Sequence, residues 1–572
     1  MIQEQESFLA GLDLITPTID IPNNGYVWTI NGRSRFGYIQ PIPQPKEVTS
    51  YPPGIKQGIL AVGNAIIAFV AGKAYYKVYG QAGYSVVPNF SMSPTATLVY
   101  SQPVPISSFN YIRNLSDATS IDNPINKQYS GRIAGMPSGI VCQDGVTQPQ
   151  LIAYDEVNQV FFSRTLGTFA VWAQNNPEYV PVGKQMMYMS GKLFIVAPDG
   201  HSVYQSVSGQ PLNFMMNIDP SGNKATTEAL GGAATTSFAF DYDSITCIEP
   251  VNIPDSFIYA TAYNTRVVQL DYTRTVFGEP LFTQAIRIDS GILNQYAVAD
   301  ISGDYAFAGV DGIKTFNAVQ GLHFQGRNST FSRVISKLFI GISQSYVCTF
   351  YYDNYVFFSV DTVLGPALVV YDTMNGCWAA IDMQGIGKVI QAAVIDLPIE
   401  LRVYVITDTQ KIYQLYSPHQ PADKCSILTR AYSTSGMNNQ YAASVSKVNS
   451  DIPLSEMKSQ AVDLVFRGDS VGTNVELVEF VNGILKGDLI KPLQPTTPLV
   501  SPSTDILASA LLEQEGERIT FAFKDTPRGY KLSYLISWQS YAALMKIRLT
   551  TTDTSQVVAD SQRSLTIGRK LT

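Results

Sequence analysis

Apolar residues along this chain fall into short alternating or continuous runs, and turn-forming residues break nearly every run. Helical spacing is scarce. One unit recurs: a strand, a turn built from Gly, Asn, Asp or Pro, an aromatic-rich strand, a second turn and another strand. Residues 59–80, ILAVGNAIIAFVAGKAYYKVYG, carry the first copy, and residues 151–167 carry the next. The copy at residues 186–207, MMYMSGKLFIVAPDGHSVYQSV, has predicted turns at Ser190-Gly191 and Pro198-Asp199-Gly200. Further copies lie at 245–272, 298–319, 347–381 and 389–417.

The first turns of these copies anchor near Asn64, Asn158, Gly191, Asp255, Gly303, Asn354 and Ile399. The last four steps are about 64, 48, 51 and 45 residues, and a period of roughly 40–50 residues of pure strand is the signature of propeller blades. The fold class expected is all-β, a β-propeller of about six or seven blades over residues 51–420. Two steps, of about 94 and 33 residues, break the period. The longer one is read as a polar insertion over residues 90–135. The competing architecture is a pair of β-sandwiches.

Residues 1–50 are Pro-rich and irregular, the composition of an arm. After Pro421 the strands lengthen, as in SQAVDLVFRGDSVGTNVELVEFVNG and RGYKLSYLISWQSYAALMKIRLTTTD, around a Pro/Ser/Thr-rich loop at 491–505. These features predict a C-terminal β-sandwich over residues 421–572.

Composition sharpens the picture. Charged residues make up only 15% of the chain, and the formal net charge is −7. A protein that wraps nucleic acid would be basic. The 33 tyrosines and 27 phenylalanines suit either a β-rich chain or a subunit with large protein contacts. Cys142, Cys247, Cys348, Cys377 and Cys425 show neither zinc spacing nor a disulfide framework, and buried free thiols are the simplest account. The N-terminus lacks a basic region and is not read as a signal peptide, and the most apolar run, residues 59–71, is too short for a membrane helix.

Candidate chemistry is thin. The three histidines, His201, His323 and His419, are far apart in sequence, and no nucleophile elbow accompanies them. Asp241 and Asp243 would share one strand face, but no calcium loop follows. Ser302-Gly303-Asp304 and Val310-Asp311-Gly312 resemble the sialidase aspartate box only superficially. Arg467-Gly468-Asp469-Ser470 spells a cell-binding motif, yet its flanks predict a hairpin turn. Arg33 and Arg35 are the densest basic feature of the arm, suited to phosphates, to an acidic neighbour, or to solvent. No catalytic, cofactor-binding or metal residue is expected, and the chain is read as a non-enzyme.

Four segments together resemble the propeller-type tail nozzle, or packaged-DNA stabilisation, proteins of short-tailed bacteriophages. They are SYPPGIKQGILAVGNAIIAFVAGKAYYKV, MSGKLFIVAPDGHSVYQSVSGQPLNFM, FAGVDGIKTFNAVQG and VVYDTMNGCWAAIDM. The resemblance spans about residues 40–420 and is one of texture and order, so it assigns no individual residue a role. It implies a virion protein made in the host cytoplasm, a homo-oligomeric ring of six subunits at the tail tip. An adaptor ring would sit above it, tail fibres, spikes or a needle would dock on it, and genomic DNA would pass transiently through its lumen. The alternatives are a carbohydrate-active propeller, which needs clustered carboxylates at one end of the axial channel, and a receptor-binding adhesin.

Overall fold

A computed structural model describes most of residues 2–553; the longest segments outside the description are 106–138, 167–179, 215–233, 318–331, 339–347, 434–455 and 493–516. The protein is all-β, and seven of its sheets are blades of a propeller. In blade 1, Lys56–Val62, Ala65–Val70, Lys73–Val78 and Ser85–Val86 pair antiparallel in chain order. Blades 2, 3, 4 and 6 repeat this pattern, starting at Tyr100–Val104, Met186–Met189, Cys247–Pro250 and Thr349–Tyr352. Blade 5 has three described strands, from Val298–Asp300 to Gly312–Thr315.

The turns follow from local chemistry. Two-residue hairpins whose central residues both take positive φ match the twist of paired strands, and Asn, Asp and Gly tolerate that geometry. Ser190 and Gly191 adopt φ 48 and 79°, and Asp353 and Asn354 adopt 49 and 59°.

Blade 7 closes the ring. Val389–Asp396, Leu401–Thr407 and Ile412–Leu415 supply three strands, and the fourth is Lys46–Glu47 from the other end of the chain. Glu47 pairs with Tyr413 and Lys46 with Gln414, and a Lys411–Glu47 ion pair of 2.9 Å flanks them. The segment expected as an N-terminal arm is therefore structural. Its remaining strands join the C-terminal sandwich rather than standing apart. Ile2–Gln5 adds to a four-stranded sheet beside Ala543–Asp553, Met457–Arg467 and Glu517–Ala522. Gly11–Leu12 and Gly25–Ile30 add to a six-stranded sheet running through Cys425–Thr429, Leu532–Trp538, Asn474–Val481 and Ile484–Pro492. Short strands between Pro and Gly breaks carry too little periodicity to be seen in sequence.

The sandwich is not an independent body. Trp538, Phe466, Leu464 and Ile536 between its sheets belong to one continuous apolar cluster with Phe307 of blade 5 and Phe358 of blade 6. Asn31 joins the same parts by polar contacts: its amide donates to the Lys424 carbonyl at 3.1 Å, and its oxygen accepts from Asp382 N–H at 2.8 Å.

The irregular steps in the sequence period have a structural cause. Blade 2 begins at Tyr100–Val104, inside the stretch read as an insertion, and its second strand is Gly139–Gln143. Asn158 falls between the third and fourth strands, Gln150–Asp155 and Val160–Thr165, so it marked the wrong turn of its blade. That one displacement lengthens the step before it and shortens the step after it. Residues 106–138, the bulk of the expected insertion, lie outside the described residues.

Blade-to-blade contact is polar as well as apolar. Fully buried Gln57 accepts from Gly72 N–H at 2.6 Å and donates to the Ser93 and Ala96 carbonyls at 2.7 Å each, tying blade 1 to the approach to blade 2. Gln143 accepts from Gly183 N–H at 2.5 Å between blades 2 and 3. Gln185 donates to the Thr246 carbonyl at 2.5 Å between blades 3 and 4, and Gln391 accepts from Ile59 N–H at 3.0 Å between blades 7 and 1. A glutamine amide satisfies backbone groups of turns and inter-blade connections that have left the strand ladders.

Gln57→Leu should therefore take from the buried Gly72 N–H and the Ala96 carbonyl the partner that Gln57 supplies, and cost about 1–3 kcal/mol. The exposed control Gln460→Leu should stay within about 0.5 kcal/mol of the parent. Urea unfolding of the two variants measures the difference; equal midpoints would remove the stitching role.

Candidate functional site at the propeller axis

Propeller ligands and substrates collect where the innermost strands converge, so the axis is the place to look for chemistry. One end of it is filled. The connection between blades 4 and 5 runs from Ser290 to Ala297 and turns inward. Its start depends on Gly291: a Cβ there would lie 2.1 Å from the Ala262 carbonyl carbon and oxygen. Gln295 then donates to the Met186 carbonyl of blade 3 at 3.3 Å. The Tyr296 ring stacks on Tyr100 of blade 2, with centroids 6.5 Å apart and planes within 4°. The Tyr296 carbonyl accepts from Thr349 N–H of blade 6 at 2.6 Å. A segment that touches blades 2, 3 and 6 while linking 4 to 5 crosses the axis. Tyr100, Met186 and Thr349 each begin an innermost strand, so this plug sits at the end where those strands start. Burial pushes the Tyr296 hydroxyl well above the ordinary tyrosine range, so it stays neutral.

Toward the other end lie two carboxylates. Glu249 and Asp300 occupy the ends of the innermost strands of blades 4 and 5. Burial, and then the charge of Asp300, raise the Glu249 carboxyl to about 7. The same two acids, after burial, help push the Tyr305 hydroxyl up to about 12. The pair brings two acids together near the inner-strand ends of blades 4 and 5. The sequence offered a signal that went unread: a lone carboxylate inside the apolar run Ile248-Glu249-Pro250. Nothing in the sequence singles out Tyr296.

The residues marked by the sequence fare differently. Arg35 is not available to a phosphate. Its guanidinium bonds Asp353 at 3.0 Å, lies 3.7 Å from Asp372, and covers the Tyr355 ring at 3.8 Å, latching the N-terminal segment onto blade 6. Arg33 donates to Gln40 at 3.5 Å and forms no ion pair among the described residues. His201 is half-buried in a turn where Asp199 accepts from His201 and Ser202 N–H; His323 and His419 lie outside the described residues. Asp243 is half-buried and Asp241 lies outside the description. Asp304 accepts from Tyr305 and Asn317 N–H, a turn-closing role; Ser302 and Asp311 fall outside it. The strands flanking Arg467–Ser470 sit in different sheets, so they do not form the expected hairpin, and residues 468–470 lie outside the description. All five cysteines are free and buried. Among the described residues, no cluster of three or more metal-ligating side chains occurs, and no helix is long and apolar enough to cross a membrane.

No protein-family model matches the chain, and no curated protein matches it. Similar solved structures include the β-propeller domain of Cps50 (Swd1) from Myceliophteria thermophila, at 8% identity. That likeness covers 65% of this chain and all of the other, with a TM-score of 0.28. A chain of the Mitotic Checkpoint Complex is similar at 7% identity over 66% of this chain and 93% of that one, with a TM-score of 0.33. Both likenesses are distant, and the propeller assignment stands on the strand order of this chain.

The raised carboxyl gives a pH signature. Unfolded, Glu249 loses its proton near 4.5; folded, it holds the proton to about 7. The folded state therefore binds more protons between these values, and stability falls as pH rises through that window, then levels off. Glu249→Gln should flatten the fall and raise stability at pH 8 by about 1–3 kcal/mol. Denaturant titrations of parent and variant between pH 4.5 and 8 test this; parallel curves would place Glu249 in water.

Proposed function

We propose that the protein is a structural subunit of a ring at the tail tip of a short-tailed bacteriophage, retaining packaged DNA and lining its exit. The observation that carries this reading is the filled axis. A propeller closed by its own N-terminal strand and plugged by Tyr296 is a rigid solid body, suited to bear load between neighbours. DNA would pass through the lumen that several subunits enclose, never through one propeller. A wall with a net charge of −7 suits that task, because it would not hold phosphates tightly. The ring would contain six copies, meet an adaptor ring on one side, and offer its outer surface to fibres, spikes or a needle. Each subunit would bury large lateral contacts, for which a low-charge, tyrosine-rich surface is well matched.

A second reading draws on Glu249 and Asp300. A raised carboxyl beside a second acid is the arrangement of a glycosidase acid and its partner. It would make the open end of the axis a glycan site, with Glu249 as the proton donor.

Native mass spectrometry of the purified protein, together with imaging of virions, separates the two. A closed six-fold ring that releases no sugar from host glycans is the expected result. A monomer whose glycan hydrolysis disappears in Glu249→Gln would overturn the ring and establish the second reading.

A further inference from the structure

A cleft opens where the N-terminal segment crosses blades 6 and 7. Arg33 and Ser34 form one side, Tyr355 and Asp372 of blade 6 the other, and Tyr416 of blade 7 an end. Its apolar wall includes Ile42, Val370 and Ile381.

The polar groups in this cleft are unbalanced. Tyr355 is 4% exposed, and its hydroxyl has no hydrogen-bond partner. Burial pushes that hydroxyl up to about 12, so it keeps a proton to donate. Arg33 has no carboxylate partner among the described residues, and its charge acts on the hydroxyls of both Tyr355 and Tyr416. The acceptors nearby are already engaged. Asp372 accepts from Met374 N–H at 2.9 Å and from the Asn375 amide at 3.0 Å, with Arg35 3.7 Å away. Asp353 is bound by Arg35 at 3.0 Å. Ser34 shares its hydroxyl with Tyr26 at 3.4 Å and Cys377 at 3.5 Å. Of the donors on the residues lining the cleft, the buried Tyr355 hydroxyl thus has no partner and Arg33 has only the long 3.5 Å contact to Gln40, and a buried unpaired donor costs about 1–3 kcal/mol.

We propose that this cleft binds a carboxylate group carried on a short aliphatic stem. The two carboxylate oxygens match the Arg33 fork and the Tyr355 hydroxyl, and the stem lies against Ile42 and Val370. Among the described lining residues Arg33 is the cation, and it is matched to neither Asp353 nor Asp372, so the cleft favours a single negative charge over a phosphate dianion. The carboxylate has two sources: a small free acid, or an acidic side chain or chain end of a protein. Either would tighten the hold of the N-terminal segment on blade 6. The inference is independent of the ring reading.

Sodium propionate, exchanged for sodium chloride at constant ionic strength and pH 7.5, is the probe. Thermal unfolding of the full chain should shift upward saturably with propionate and not with phosphate. Arg33→Gln should weaken the half-saturating concentration at least tenfold. Tyr355→Phe removes a hydroxyl with no partner, so it should fold at least as stably as the parent while losing most of the propionate shift. Equal shifts with chloride or phosphate, or an unchanged response in both variants, would overturn the proposal. Sedimentation of the same samples assigns the source. An assembly that propionate dissolves and Arg33→Gln lacks points to the carboxylate of another copy. Sedimentation unchanged by propionate points to a free acid or a different protein.

Discussion

The fold rests on the pairing of Lys46 and Glu47 with Gln414 and Tyr413. A blade ring without this pairing would leave the third strand of blade 7 with a bare edge, and its last blade would meet its first only through side-chain packing and contacts such as Gln391 with Ile59 N–H. Only two residues pair, so the closure draws strength from what surrounds it. Upstream, Arg35 is clamped by Asp353 and Asp372, and Asn31 bridges the sandwich and blade 6. Further upstream, Ile2–Gln5 is a strand of the sandwich, where Glu4 and Glu6 meet Lys546 across about the whole length of the chain. Closing so long a loop carries an entropic cost that grows only with the logarithm of its length, which a shared apolar core readily offsets. The first and last strands of the protein therefore hold each other, and together they hold the propeller shut.

Rigidity also explains the axis. Buried Gln57, Gln185 and Gln391 sit at blade starts and Gln143 at the end of a second strand, beside turns and connections whose N–H and C=O groups lose their ladder partners. Tyr296 fills the space that these starts enclose. Toward the other end, burial disfavours the charged form of Glu249.

How much of this the sequence disclosed depended on range. Local signals were read well: Ser190-Gly191 and Asn354 mark hairpins whose backbone requires their residue types. The blade period followed from them. What failed was assignment over distance. Asn158 has the chemistry of a turn but falls between the third and fourth strands of its blade, and a local rule cannot tell which connection it marks. Lys46 and Glu47 are two exposed polar residues with no strand pattern, and only their partners in blade 7 make them a strand. Arg35 was visible as a charge, while its acidic partners lie more than 300 positions away. Glu249 was legible as an oddity in an apolar run, but Asp300 belongs to the next blade.

Native-state hydrogen exchange tests the closure most directly. If the N-terminal strand holds the ring, the paired amides of Lys46–Glu47 and Tyr413–Gln414 exchange only through the same opening that exposes the inner strands of blades 1 and 7. Exchange of those paired amides by local fraying, while both blades stay protected, would show that the propeller stands without its N-terminal strand.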